Sequence, residues 1–499
     1  MKRFSVLLAA ASLLAAIAGC QKEPVGNENV ESAKAYAQLN ISFATGNTKA
    51  ETVDGTDVKD AGTKPEYEVK SATLYFVASA GSTITKIETL NGNFTEQVVG
   101  NDVYYTHVVE ELAPGTYRIY VTVNYALDGI AEGDAEEELQ NSIQTSTGLL
   151  GASVPANGMP MSSRDPLAAH GATAEDAGLY TEATITSGNT KDNPCHISLD
   201  IERTLAKVSY EVVETDNVYS VFADRQTSGT QIATIALKQF SVLNQTKAWH
   251  AFRRVCTYDG TTVTPDGYGL ISDAYLYDPN IGYKNSASAD NADTYLFDGT
   301  VTDITATAAG NTQILAYTYE NALHKDKQLA GYVTTIRFVG KITPVTANLW
   351  YFDGGVLKND VAYVANDDLY YYDNEFYTSI EALNAKTSLG VNASNFRDFN
   401  VKFYEDGTCY YDYYIKHFDN GKNPTTIPTP DASLLLGVME YAIVRNNSYV
   451  VSVSDILAPG NDEVTDVDPS TPVEQTQTYF QVKLTIRPWV VRAQDAVLG

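Results

Sequence analysis

The sequence has little cysteine, little tryptophan and few basic residues for its length. Its 499 residues include 4 Cys and 3 Trp, and 34 Lys and Arg stand against 62 Asp and Glu, giving a formal net charge of −28. This is too little cysteine for a disulfide framework, and a nucleic-acid partner would need clustered basic residues that are missing. The charge suits a self-repelling protein that works in bulk water or at a cell surface.

Motifs for catalysis and metal binding are also missing. The sequence has no P-loop, no dinucleotide-binding glycine pattern and no nucleophile elbow, and its 6 His have no zinc-binding spacing. Carboxylates are abundant, but nothing singles out a pair for glycoside hydrolysis. We therefore expect no enzymatic activity, no catalytic residues, no cofactor and no metal.

The main apolar run lies at the N-terminus, where residues 4–17 follow a basic head and are too few to span a bilayer. The run ends in Ile17-Ala18-Gly19-Cys20, which resembles a bacterial lipobox, in which the cysteine thiol takes a lipid. We expect residues 1–19 to be a lipoprotein signal peptide and Cys20 to be lipidated; the alternative is an ordinary secretory signal. The other cysteines are expected to be buried thiols or to form at most one bridge; they are Cys195, Cys256 and Cys409.

Tyrosine is abundant, with 34 residues against 16 Phe, and this favours the pleated, half-exposed surface of β-sheets. Residues 35–43 alternate apolar and polar side chains, as a strand with one buried face does. Short helical patterns occur only at residues 136–144 and 379–386. Together these patterns predict a β-rich fold, with further strands at residues 69–77, 104–109 and 117–123.

A long polar loop separates the first predicted strand from the rest of the chain. This loop covers residues 44–66 and contains Lys49, Lys59 and Lys64. A loop of this length without secondary structure is unusual inside a compact domain and is generally functional or mobile. The composition then changes near residue 200, where we place a domain boundary.

The C-terminus combines a linker pattern with a strand pattern. Residues 461–474 hold five acids, two prolines and no base, which predicts an extended, flexible linker. Residues 480–487 then alternate as a strand, Pro488 interrupts it, and an extended segment follows whose apolar face is Trp489, Val491, Ala493 and Val497. That last segment could pair within its own chain or with a neighbouring molecule, and the pattern leaves both interpretations open.

Several segments carry a family resemblance. They are the lipobox, the first strand, and residues 158–162, 201–208, 410–417, 438–449, 488–489 and 494–498. In their order and spacing they resemble the fimbrillin family of Bacteroidales fimbrial shaft subunits, and most closely the larger, short-fimbria type of major subunit.

The resemblance implies a fold and a domain plan. The fold would be mainly β, with two tandem β-sandwich domains of transthyretin-like, Greek-key type, long loop insertions and few short helices. The expected divisions are a signal peptide (1–19), a propeptide (20–49), an N-terminal sandwich (50–200), a C-terminal sandwich with insertions and linker (201–474), and C-terminal strands (475–499).

The resemblance also implies a function, that of a structural fimbrial subunit supporting adhesion and biofilm formation. An outer-membrane lipoprotein precursor would lose its first strand to a trypsin-like protease, and the C-terminal donor strand of another copy would take its place in the extracellular fimbrium. Expected partners are copies of itself, tip and anchor subunits, the protease, and host or bacterial surface receptors. The removable strand would offer Ala37, Leu39, Ile41 and Phe43, and the donor strand Trp489, Val491, Ala493 and Val497.

One departure from the family concerns the protease, which cuts after Arg in the best-known members. This chain has no Arg between Arg3 and Arg118. We therefore expect cleavage after Lys49, with Lys59 and Lys64 as alternatives.

Two other functions remain open. The chain could be a monomeric outer-membrane lipoprotein that binds glycans through tyrosine-rich segments such as residues 370–372, or a tip or anchor subunit of the same fimbria. A complete C-terminal strand and a lysine in the loop favour the shaft.

Overall fold

The computed structural model describes residues 35–43, 62–92, 94–99, 102–164, 179–258, 263–267, 275–276, 278–279, 296–323, 328–417, 439–464, 468–473, 476 and 479–488. Most of its regular structure is β-sheet, which confirms the mainly β prediction. The helices in this part are short: α1 (Lys64–Tyr67), α2 (Glu136–Gln140) and α3 (Ile380–Thr387). The last two lie where the sequence predicted helix, and none of the three has the length and apolar character needed to cross a membrane.

The first sandwich is built from one sheet that folds onto itself. Among the described residues its nine strands are β1 (Ala35–Phe43), β2 (Ser71–Ala78), β3 (Thr83–Asn91), β4 (Thr95–Val99), β5 (Asp102–Leu112), β6 (Gly115–Val123), β8 (Met161–Ser163), β9 (Thr181–Ile185) and β10 (Cys195–Arg203). Their order is β3-β2-β6-β8-β10-β1-β5-β4, with β9 beside β6. The short strand β8 pairs with both β6 and β10 and so joins the two halves. Apolar side chains of both halves share one core, including Leu39, Leu74, Ile119 and Leu199.

The second sandwich packs two separate sheets. One has the order β21-β11-β29-β30 and consists of β11 (Leu205–Glu211), β21 (Thr312–Tyr319), β29 (Asn447–Ile456) and β30 (Phe480–Pro488). The other has the order β12-β13-β22-β28 with β20 beside β13, and consists of β12 (Val218–Phe222), β13 (Gln231–Leu243), β20 (Thr302–Asp303), β22 (Thr335–Pro344) and β28 (Thr408–Tyr414). Val208 and Tyr449 of the first sheet meet Ile235 and Phe338 of the second in a common core.

A smaller sheet is inserted between β22 and β28. Its order is β24-β23-β26-β25-β27, and its strands are β23 (Leu349–Asp353), β24 (Val356–Lys358), β25 (Leu369–Tyr372), β26 (Glu375–Tyr377) and β27 (Lys402–Tyr404). Helix α3 packs with it around Tyr377 and Leu383. Ser379 caps α3 by accepting a hydrogen bond from the amide of Ala382 at 3.1 Å. The long insertions expected in the second half of the chain thus include a small layer of their own.

The remaining described strands form short pairs around the sandwiches. β7 (Ile143–Thr145) pairs with β15 (Ala248–His250), and β14 (Gln245–Thr246) pairs with β19 (Leu296–Phe297). A three-stranded group contains β16 (Val255–Tyr258), β17 (Val263–Gly267) and β18 (Tyr275–Leu276). The β7–β15 pair links residues of the first sandwich to residues of the second, and beside it the Trp249 ring stacks on Tyr319 at a centroid distance of 3.6 Å.

The segment predicted as a flexible linker is packed against the second sandwich in the part that the structure describes. The carboxylate of Asp462 accepts hydrogen bonds from Arg397 at 2.8 Å and from the amide of Phe403 at 2.9 Å. Further along, Val473 is buried. The prediction of flexibility is therefore wrong for these positions, because an acid-rich, proline-containing segment also supplies the carboxylates and apolar groups that dock it.

Candidate functional site: the position of the first strand

The first strand, β1, occupies an interior position of its sheet rather than an edge. It pairs in parallel with β10, where Leu39 lies opposite Ile197, and antiparallel with β5, where Leu39 lies opposite His107. Parallel neighbours require a long connection, and here β1 and β10 are separated by almost the whole first sandwich. β1 therefore fills a slot between β5 and β10, two strands that come later in the chain.

One face of β1 is completely buried. Ala35, Ala37, Leu39 and Ile41 are each 0% exposed, and they belong to the core of the first sandwich. Gln38 and Asn40 between them are half-buried, so the alternation read from the sequence is confirmed. The side chain of Phe43 lies outside the described part of the chain.

Among the described residues, few polar contacts supplement the strand pairing of β1. The amide of Tyr36 donates to the carbonyl of Asn189 at 3.0 Å, and the hydroxyl of Ser42 donates to the carboxylate of Asp200. The slot thus holds its occupant through backbone hydrogen bonds and apolar side chains, features that any strand of suitable pattern can supply.

The last residues of the predicted loop are firmly attached to the body of the protein. Helix α1 begins after Thr63, and a capping box links Thr63 with Glu66, whose side chain is fully buried. The hydroxyl of Tyr317 donates to the Glu66 carboxylate at 2.7 Å, and the Lys207 ammonium lies 3.2 Å from it. The chain is therefore fixed from Thr63 onward, and the prediction that residues up to 66 lack secondary structure is wrong for the helix that begins at Lys64.

Lys64, one of the candidate cleavage residues, lies in this helix. Its side chain is 58% exposed, and the ammonium group lies 2.9 Å from the Glu96 carboxylate. Pro65 follows it directly. The other candidates, Lys49 and Lys59, and the lipidation candidate Cys20 lie outside the described residues.

A second group of buried charges is centred on β10, the strand that pairs with β1. The carboxylate of Glu202 accepts from Arg253 at 2.9 and 2.6 Å and from Arg164 at 3.1 Å. Burial opposes the ionised form of Glu202, but the nearby guanidinium groups outweigh it and lower its pKa. These ion pairs fix β10 independently of β1.

A third buried pair connects distant parts of the second sandwich. Arg445 donates from Nε and Nη2 to the two oxygens of Glu320, both at 2.7 Å, and Nη2 also donates to the carbonyl of His250 at 2.7 Å. All of Arg445 and Glu320 is inaccessible to solvent. A fork-shaped pairing of this kind fixes geometry as well as charge.

At the other end of the chain, β30 is the last described strand. It pairs antiparallel with β29 and forms an edge of its sheet among the described strands. Pro488 is its final residue, opposite Asn447. The predicted donor-strand residues lie outside the described part of the chain; they are Trp489, Val491, Ala493 and Val497.

The cysteines and metal-binding side chains form no chemical centre in the described part. Cys195 and Cys409 are free thiols, and burial raises the pKa of Cys409 to about 11. The side chain of Cys256 lies outside the described part. Within the described residues, no three His, Cys, Asp or Glu side chains lie close enough together to hold a metal ion.

Comparison with known families connects this architecture to fimbriae. Residues 402–495 match the family model described as major fimbrial subunit protein type IV, fimbrillin, C-terminal. This confirms the resemblance to fimbrillins, and the matched region belongs to that family. It contains β28, β29 and β30 and continues into the predicted donor segment as far as residue 495. No curated protein matches the chain in sequence.

Solved structures are similar to the chain over most of its length. One is a fimbrillin from Porphyromonas gingivalis W83, which is 17% identical to this chain. The match covers 92% of this chain and 99% of the fimbrillin, with a TM-score of 0.41. Another is the tip fimbrial protein Mfa3 from Porphyromonas gingivalis, solved with a C-terminal truncation and 13% identical to this chain. The match covers 91% of this chain and 100% of the Mfa3 chain, with a TM-score of 0.38.

Proposed function

We propose that this fimbrial subunit, which carries the fimbrillin C-terminal region, forms the shaft of a cell-surface fimbrium by donor-strand exchange. It is exported as a lipoprotein through Cys20 and anchored in the outer membrane until proteolysis releases it. The first strand then leaves its slot, and the C-terminal strand of another copy enters. The role is structural rather than enzymatic, and the filament supports adhesion and biofilm formation.

The observation that carries the proposal is the interior position of β1. β1 lies inside its sheet, between β10 and β5. Its removal would leave an open slot in which the backbone groups of β10 and β5 that face it are unpaired. Unpaired sheet edges accept another strand readily. A contact between the slot of one copy and the tail of the next does not close on itself, so it produces a fibre.

The free energy gained by burying the donor strand is sufficient for a stable contact between subunits. The buried face of β1 offers Ala37, Leu39 and Ile41, and the donor segment offers four apolar residues on alternate positions, with Asp495 between the last two. Each large apolar side chain that becomes buried contributes about 1.5–3 kcal/mol. The gross gain is of the order of ten kcal/mol before the cost of ordering the strand.

Lys49 is our proposed cleavage site, with Lys59 as the alternative. Both lie between β1 and the fixed helix α1, so a cut at either separates the lipid and the strand from the body. Lys64 is a poorer candidate because Pro65 follows it and the helix and its ion pair hold it in place.

The test starts from the precursor beginning at residue 21, treated with trypsin and followed by N-terminal sequencing, size-exclusion chromatography and electron microscopy. We expect a cut after Lys49, release of the first strand, and growth of filaments. A variant that ends at Pro488 retains β30 but lacks the donor segment.

That truncated variant should be cut in the same way and remain folded but form no filaments. Added to the full-length protein, it should shorten the filaments by capping their ends. Filament growth by the truncated variant alone, or a trimmed full-length protein that stays monomeric at high concentration, would refute the proposal.

A further inference from the structure

Two walls enclose β1, and they are attached to the protein in different ways. One wall is the hairpin of β4 and β5, whose strands pair with each other, with Thr95 opposite Thr106. Within the described part of the sheet, β4 is the terminal strand and β5 pairs only with β4 and β1. The Thr106 hydroxyl also donates to the Thr95 carbonyl at 3.4 Å, inside the hairpin. Among the described strands, β1 is therefore the one strand that joins this hairpin to the rest of the sheet.

The opposite wall, β10, is fixed by bonds that do not involve β1. It pairs with β8 and continues through Thr204 directly into β11 of the second sandwich. The amide and the hydroxyl of Thr204 both donate to the Pro160 carbonyl, at 3.0 and 3.1 Å, and the Asn446 amide donates to the Leu205 carbonyl at 2.8 Å. Together with the ion pairs of Glu202, these bonds attach β10 to both sandwiches. This wall does not need β1 to stay in place.

The hairpin is attached to the body of the first sandwich by side chains. Tyr105 and Leu112 lie in the core of that sandwich. At the edge, the Glu96 carboxylate lies 2.9 Å from the Lys64 ammonium, and these side chains are 33% and 58% exposed. An ion pair between exposed side chains contributes little to stability. Lys64 belongs to helix α1, which Glu66 fixes to the second sandwich. The hairpin thus meets a fixed element through a weak contact.

An exchange of strands requires one of the two walls to move. Between immobile walls, β1 would have to break the hydrogen bonds to both neighbours at once or slide lengthwise. Sliding is opposed by Leu39 and Ile41, which are fully buried, and backbone groups left unpaired away from water are costly. The proposed donor segment begins with Trp489, whose ring is larger than either of these side chains. The hairpin is the wall that can move, because it has the fewer attachments.

We propose that the β4–β5 hairpin is a lid on the slot and that β10 is the platform. When the lid opens, the ladder between β1 and β5 breaks while β1 stays paired with β10. β1 then leaves from one open edge, the incoming strand pairs with β10, and the lid closes over it. Local openings involve the least attached elements of a fold. The role of the lid in assembly rests on the proposed strand exchange, whereas its opening in the uncleaved protein does not.

The first experiment is hydrogen exchange of the uncleaved chain from residue 21, followed at residue level by mass spectrometry. It compares the amides of β5 and of β10 that face β1. We expect those of β5 to exchange at least about tenfold faster, because opening of the lid exposes them and leaves the ladder between β1 and β10 intact. Equal protection of the two walls would overturn the assignment.

The second experiment locks the lid. Lys64→Cys and Glu96→Cys are combined in a chain whose other cysteines are replaced by alanine, and a short bis-maleimide joins the two thiols after folding. Trypsin should still cut the loop. Release of the β1 fragment should be at least about tenfold slower than in the same chain treated with N-ethylmaleimide, because the barrier now includes both ladders. Size-exclusion chromatography with mass spectrometry measures the release, and electron microscopy should show a matching loss of filaments.

The matched control joins Asp353→Cys to Lys358→Cys in the inserted sheet. The parent side chains at these positions also form an exposed ion pair, with the ammonium 2.7 Å from the carboxylate, but they lie in the β23–β24 hairpin. This linked variant should release β1 and grow filaments at the unlinked rate. Equal slowing in both linked variants, or no slowing when the lid is linked, contradicts the assignment.

The two proposals fail in different ways. If the unlinked chain is cut but grows no filaments, the proposed strand exchange is wrong. Hydrogen exchange in the uncleaved chain then still decides whether the hairpin opens. If the unlinked chain grows filaments and the chain with the linked lid grows them equally fast, the exchange stands and the lid is wrong.

Discussion

The carboxylate of Glu66 lies 3.2 Å from the ammonium group of Lys207, and the two side chains are 0% and 9% exposed. The pair joins helix α1 to β11 in the second sandwich. Arg203 adds to this connection by donating from Nε to the backbone carbonyl of Glu66 at 2.8 Å. The chain downstream of the proposed cleavage sites is thus fixed to both halves of the molecule.

Replacing Glu66 should strongly destabilise the protein. Glu66→Gln removes the carboxylate charge that faces the buried Lys207 ammonium, and breaking a buried ion pair in this way typically costs about 3–5 kcal/mol. The double variant Glu66→Gln, Lys207→Met removes both charges and should recover part of that loss. Urea unfolding of the parent, Glu66→Gln, Lys207→Met and the double variant gives the coupling energy.

The control for this cycle is Glu68→Gln. Glu68 is 39% exposed and lies 3.8 Å from Lys70, so this change should cost less than about 1 kcal/mol. If Glu66→Gln were equally mild, the buried pair would not stabilise the structure.

A change on the buried face of β1 should affect the precursor but not the filament. Leu39→Ala removes a fully buried side chain and should lower the stability of the precursor by about 2–5 kcal/mol. In the proposed exchange the filament no longer contains this strand, so the melting temperature of the variant filament should equal that of the parent filament. Filaments should also grow faster after trypsin treatment, because the weakened strand leaves its slot more easily.

Asn40→Ala is the matched control on the other face of β1, where the side chain is half-buried. It should change the precursor much less than Leu39→Ala. If Leu39→Ala lowered the melting temperature of precursor and filament equally, β1 would still be present in the filament.

Trypsin should cleave after some lysines of the loop and not after others. Lys64→Gln should leave the trypsin fragments unchanged, since Pro65 blocks cleavage at that bond. Lys49→Gln should move the new N-terminus to the residue after Lys59, as read by mass spectrometry. Loss of cleavage in the Lys64→Gln variant would contradict this order.

Two buried histidines should make the protein less stable in mild acid. Burial lowers the pKa of His417 from 6.5 to about 4 and is the largest cause of the lowering of the pKa of His250 to about 3. Because the folded pKa values are depressed, their stabilising effect is complete above pH 6.5 and is lost as the pH falls below it. Each residue costs roughly 2 kcal/mol at pH 5.

The test is urea unfolding of the parent and the His417→Gln variant at pH 7.5 and pH 5. The variant keeps His250, so its loss between the two pH values should be about half that of the parent. Nδ1 of His417 lies 2.7 Å from the Tyr449 hydroxyl, so the variant is also expected to be less stable at pH 7.5. An unchanged pH dependence would show that the pKa of His417 is the same in the folded and the unfolded protein.

Much of the local structure could be predicted from side-chain periodicity. The alternating pattern of residues 35–43 gives a strand with the observed limits, and the helical patterns at residues 136–144 and 379–386 correspond to α2 and α3. These features depend on neighbours in sequence. The parallel pairing of Leu39 with Ile197 does not, so the slot could only be inferred through the fimbrillin resemblance.

The buried charges could not be predicted from the sequence. Glu202 and Lys207 alternate with apolar residues and resemble the exposed face of an ordinary strand, yet both are buried. Their partners, Arg253 and Glu66, lie far away in the chain. Such pairs become visible only when the tertiary contacts are known.

The strand order of the first sheet has a consequence for the interval between the loss of β1 and the entry of a donor strand. In the described part of that sheet, β1 is the seam between β10 and the β5–β4 hairpin. In the proposed exchange, a subunit that has lost its first strand and not yet gained another keeps this hairpin only through core side chains such as Tyr105 and Leu112 and the Lys64–Glu96 ion pair, without the backbone pairing of β1. Both sides of the gap are then open to another strand, so we expect removal of the first segment and entry of its replacement to follow each other closely.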